Sequence, residues 1–94
     1  MRGSVLHLVV KGRVQGVGFR WFVADEARRL DLAGWVRNNR DGSVELCAEG
    51  DEAALAKLKE IVAKGPAGAS VSSVDSVDSA PKGEMARPFT ITRE

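Results

Sequence analysis

The sequence predicts an α+β domain of ferredoxin-like, split βαβ topology: βαββαβ plus a short C-terminal strand, an antiparallel sheet with two helices on one face. Three observations lead there. A short apolar run, Val5 to Val10, passes through a glycine loop into residues with helical apolar spacing. Two further strand-like runs flank an Asp-Gly turn. A second helical stripe, at Leu55 to Val62, precedes valine- and serine-rich chain. At 94 residues the chain forms a single domain over 1–94, because two cores cannot be built from so little apolar surface.

Residues 4–11 read as strand one, apolar on both faces except at His7, as in a central strand. His7 is the sole histidine and has no carboxylate near it in sequence, so it reads as structural or as a surface residue. Helix one runs from Phe19 to Leu30. Phe19, Phe22, Val23, Ala27 and Leu30 form its buried stripe, with Asp25, Glu26, Arg28 and Arg29 on the other side. Trp21 lies off the stripe, as a packed surface tryptophan or a shield at the edge of a site.

Residues 33–38 read as strand two and 43–49 as strand three, joined through Asn39-Arg40-Asp41-Gly42. Alternation in strand three turns Val44, Leu46 and Ala48 inward and Glu45, Cys47 and Glu49 outward. Cys47 is then exposed or half-exposed, and without a recognisable histidine partner it is no nucleophile. Asp51 is a good N-cap for helix two, whose stripe is Leu55, Leu58, Ile61 and Val62 and which Gly65-Pro66 stops. The valines at 71, 74 and 77 repeat every three residues, which predicts a fourth strand containing a bulge. Residues 80–87 read as a loop and 89–92 as a short final strand.

Net charge is only +1, which argues against a general nucleic-acid or membrane-surface binder. Strands one and three carry no aromatic residue on which a base could stack. The charge is uneven, however. Residues 1–40 hold eight Lys and Arg against three acids, and residues 41–94 hold six against ten. The positive half contains the glycine loop, as suits a small anionic ligand. One cysteine allows no intrachain disulfide, and the first apolar run is too short for a membrane span or signal segment. A cytoplasmic monomer is the default.

The loop reads Gly12-Arg13-Val14-Gln15-Gly16-Val17-Gly18-Phe19-Arg20. Glycine admits positive φ and close approach to the main chain, so such a loop can turn N–H groups inward toward a phosphate-sized anion at a helix start. Arg20 can fold its guanidinium fork over the loop. Phe19-Arg20 after Gly18 excludes the Walker pattern, and Trp21 the dinucleotide fingerprint. On glycines alone, a plain glycine-rich turn followed by an exposed arginine reads equally well.

The second informative stretch, Gly34-Trp35-Val36-Arg37-Asn38-Asn39-Arg40-Asp41-Gly42-Ser43-Val44, ends a strand on two asparagines. An asparagine amide can hold a water beside a phosphate without changing charge, although asparagine is also common in turns. Together the two stretches closely resemble the two motifs of the acylphosphatase family, Val10 to Arg20 for the first, and Gly34 to Asn38, Asp41-Gly42, Val44 and Gly50 for the second.

The resemblance implies hydrolysis of a small acyl phosphate to a carboxylate and inorganic phosphate, with no metal or cofactor. It implies that Arg20 binds the phosphate, that Asn38 positions the attacking water, and that Gln15, Gly16, Val17, Gly18 and Phe19 supply a cradle of main-chain N–H groups. It leaves Asn39 without a role. The alternative is a non-catalytic phosphate-binding module, which needs the clamp but not the amide.

Overall fold

The computed structural model describes residues 4–77 and 85–92. Strand β1 (Ser4–Arg13) leads into helix α1 (Phe19–Arg29), then β2 (Ala33–Asn38) and β3 (Val44–Gly50), helix α2 (Glu52–Lys64), β4 (Ser70–Ser76) and a two-residue β5 (Thr90–Ile91). The sheet order is β4-β1-β3-β2-β5. The apolar first strand is thus flanked by β4 and β3, both antiparallel to it.

The expected antiparallel sheet needs one correction. Strand β5 lies parallel to β2, with Trp35 opposite Thr90 and Val36 opposite Ile91, so the sheet is mixed at that edge. The other three pairings are antiparallel, as the split βαβ order requires. Residues 80–84 of the expected loop lie outside the described residues.

The expected bulge is present. Lys11 pairs with Ser73 and Gly12 with Val71, so Ser72 is the extra residue on β4. One inserted residue resets the side-chain alternation. Val71 and Val74, three apart, therefore both pack on the core.

Both helices cover the face on which Leu8, Val10, Val36, Val44, Leu46 and Ala48 alternate inward. Phe19, Val23, Ala24 and Ala27 of α1 and Leu55, Leu58 and Val62 of α2 fill the space between. Burying each valine, leucine or phenylalanine among them is worth about 1.5–3 kcal/mol. Asp51 caps α2 by accepting from the Ala53 N–H at 3.1 Å, and Gly65 ends the helix. Trp21, by contrast, is 63% exposed, which corrects the packed reading.

The far face of the sheet is covered as well, and by its own side chains. His7, Cys47 and Trp35 lie side by side across β1, β3 and β2. The His7 and Trp35 rings meet edge to face at 6.0 Å, and the Arg37 guanidinium lies 5.3 Å from the Trp35 ring centre. Cys47, the small residue between two large ones, is fully buried, not exposed or half-exposed as alternation alone suggests. Burial pushes its thiol up to about 11, helped by the charges of Glu45 and Glu49.

Candidate active site

The loop between β1 and α1 is nailed down from beneath. Val14 and Phe19 are fully buried and Val17 packs against the same core, so apolar side chains fix the main chain on either side of Gly16 and Gly18. Gly16 and Gly18 adopt φ of 75° and 78°, the left-handed region, and a Cβ on either would meet nothing within 4 Å. A side chain there would strain the backbone and occupy the open side of the loop.

Gly18 is the N-cap of α1, and no side chain caps it. No acidic residue lies in the first turn. The N–H groups and positive dipole end at that terminus therefore meet no carboxylate of the helix's own first turn, an arrangement that favours an anion. Arg20, the second residue of α1, is half-buried and pairs with no carboxylate among the described residues. By comparison, Arg29, Arg37 and Arg87 are paired with Glu26, Glu45 and Asp31.

Asn38 is the last residue of β2 and shares a face with Val36, the face that α1 covers. Its Oδ1 is buried and accepts no hydrogen bond among the described residues. A buried acceptor left without a donor costs about 1–3 kcal/mol, so an incoming donor is favoured at this oxygen. Asn39 is differently employed: its amide donates to Ser43 Oγ at 3.0 Å and its N–H to the Ser43 carbonyl at 2.8 Å. Ser43 in turn donates through Oγ and N–H to Asp41 Oδ1, at 2.6 and 2.9 Å. Those two bonds hold the Asp41 carboxyl below the usual range.

One side chain joins the two stretches. Gln15 Nε2 donates to the carbonyls of Asn39 and Ser43, at 2.8 and 2.9 Å, across 24 and 28 residues of chain. The glycine loop and the hairpin that follows Asn38 therefore lie at one end of the fold. The family resemblance implies only a main-chain N–H role for Gln15; nothing in the local sequence signals this use of its side chain. Among the described residues no three His, Cys, Asp or Glu side chains gather as metal ligands.

Comparison with known proteins agrees in fold and sequence. The acylphosphatase family model matches residues 6–91. The chain is similar to the acylphosphatase of Bifidobacterium longum, 52% identical over 85 residues that make up 90% of this chain and 88% of that one. It is also similar to that of Rhizobium etli, 49% identical over 88% of this chain and 87% of that one. The crystal structure of acylphosphatase from Bacillus subtilis superposes with a TM-score of 0.84 at 43% identity, covering 94% of this chain and 97% of that one.

Proposed function

The chain belongs to the acylphosphatase family, and we propose that it hydrolyses small acyl phosphates to a carboxylate and inorganic phosphate through Arg20, Asn38 and the loop from Gln15 to Phe19. The observation that carries this reading is the shared end of the fold. A glycine cradle at an uncapped helix start is tied through Gln15 to the hairpin behind a buried asparagine oxygen, and among the described residues neither Arg20 has an ion-pair partner nor that oxygen a donor.

In this reading the main-chain N–H groups and the Arg20 guanidinium hold the phosphoryl oxygens. Phosphoryl transfer passes through a loose transition state with charge spread over those oxygens, so positioning and electrostatic stabilisation do most of the catalysis. Asn38 Oδ1 accepts from the attacking water and fixes its direction. The leaving carboxylate has a conjugate acid of pKa about 4, as for Asp or Glu, and departs without a proton. No general acid is needed.

The water's proton passes to a phosphoryl oxygen of the substrate. His7, the single histidine, projects from the sheet face opposite the one that carries Asn38 and α1, and its Nε2 is engaged with Glu45 at 2.6 Å. It is badly placed to act as a base at the loop.

Release of benzoate from benzoyl phosphate in excess EDTA, compared between the chain and Arg20→Ala, tests the reading. Turnover should fall in the variant by the equivalent of about 3–4 kcal/mol, typical for a preorganised oxyanion donor. The fold should remain, since Arg20 lies outside the core. Phosphate binding without turnover in the unaltered chain would leave a binding module instead of an enzyme.

A further inference from the structure

We infer that the side chain of Gln15 is a positioning residue, which sets Asn38 in register with the phosphate cradle by clamping the β2–β3 hairpin to the loop. The inference rests on the proposed role of Asn38. Gln15 has one NH2 group with two donor hydrogens, and two carbonyls receive them, Asn39 O at 2.8 Å and Ser43 O at 2.9 Å. Those carbonyls belong to the two residues that close the hairpin neck, where the Asn39 N–H also donates to Ser43 O at 2.8 Å. Both donors are thus spent on the hairpin and none faces the cradle.

The consequence lies in where each partner is anchored. The loop is fixed to the helix-side core by Val14, Val17 and Phe19. Asn38, however, sits at the exit of β2, and past the half-buried Asn39 come the exposed residues Arg40, Asp41 and Gly42. A strand end followed by a turn is where local opening is easiest. The amide of Gln15 bridges that end to the rigid loop, so it controls the distance between a water held at Asn38 and a phosphorus held at Arg20. Displacement of about 1 Å there is enough to cost up to about a hundredfold in rate.

The test is steady-state hydrolysis of benzoyl phosphate by Gln15→Met, nearly isosteric but without donors, with inhibition by inorganic phosphate measured alongside. The expected result is a kcat about ten- to a hundredfold lower, with the inhibition constant of phosphate unchanged within a factor of about two, because the main-chain cradle and Arg20 remain. In an Asn38→Ala background the same substitution should cause no further loss. Gln15→Glu adds a readout that packing alone would not move. As a carboxylate it cannot donate to either carbonyl, but once protonated it donates to one, so its kcat relative to wild type should rise as pH falls.

Full kcat in Gln15→Met beside an inactive Asn38→Ala would overturn the inference and leave the Asn38 reading standing. Full turnover in Asn38→Ala would remove both. A parallel loss of kcat and phosphate affinity in Gln15→Met, or a flat pH ratio in Gln15→Glu, would make Gln15 a part of the cradle or of the packing and overturn the positioning role.

Discussion

His7 Nε2 lies 2.6 Å from Glu45 Oε2, diagonally across the β1–β3 pairing, two residues along β3 from Cys47, its direct partner. Arg37 NH2 reaches the other oxygen of the same carboxylate at 3.0 Å, from β2. Three neighbouring strands are thus joined through one side chain on the face away from the helices. Such a cluster explains how a sheet with helices on one side only can carry polar side chains, largely buried, on the other.

Burial alone would raise the Glu45 carboxyl, but hydrogen bonds from His7 and Arg37 outweigh it and hold the group below the usual carboxylate range. A carboxyl depressed in the folded state contributes stability above the unfolded value, 4.5, and that contribution is lost as pH falls through the folded one. Glu45→Gln should therefore lower stability at pH 7 by about 1–3 kcal/mol, since it leaves Arg37 without its charge partner. Urea denaturation of both proteins at pH 7 and at pH 3 checks this. A difference that does not shrink toward pH 3 would contradict the pairing as its source.

The same geometry sets His7 on the sheet face away from the proposed site. His7→Ala should preserve the shape of the log kcat against pH profile for benzoyl phosphate, whatever it does to stability. An inflection in the wild-type profile that disappears in this variant would restore His7 as a base and remove proton transfer to the substrate.

Cys47 lies between His7 and Trp35 and is fully buried, with its thiol raised to about 11. Thiolate is the reactive form, and almost none is present at neutral pH. A disulfide reagent added at pH 7.5 should modify the folded chain at least about a hundredfold more slowly than the chain in guanidinium chloride. Equal rates would mean that the sheet face opens readily.

The element order and both stretches of the site were legible because each rests on local chemistry. Residues 33–38 form a strand by their own composition, Gly18 and Arg20 mark a helix start, and valines three apart report the β4 bulge even before the partner strand is known. What escaped was pairing at long range. Alternation tells which face Cys47 is on but not whether large neighbours on adjacent strands cover it. His7 has no carboxylate near it in sequence, and its partner stands 38 residues away. The Gln15 bonds span 24 and 28 residues and nothing in a glutamine's local setting announces them. The parallel edge strand, only two residues long, carries too little pattern to fix its direction.

Adjacent asparagines at the end of β2 offer the sharpest separation of roles. The Asn39 amide is committed to Ser43 Oγ at 3.0 Å, whereas Asn38 Oδ1 is buried with no donor among the described residues. Asn38→Ala should lower kcat by about a hundredfold or more, the scale of losing one aligned polar group at the reacting centre. Phosphate inhibition should change little, because Arg20 and the loop N–H groups are untouched. Asn39→Ala should lose less than about tenfold in kcat and about 1 kcal/mol in stability, since the main-chain bonds to Ser43 and from Gln15 remain. Steady-state kinetics of the two variants, with urea denaturation alongside, distinguish the cases. If the losses are reversed, the water is held one residue further along, and the free oxygen of Asn38 serves another partner.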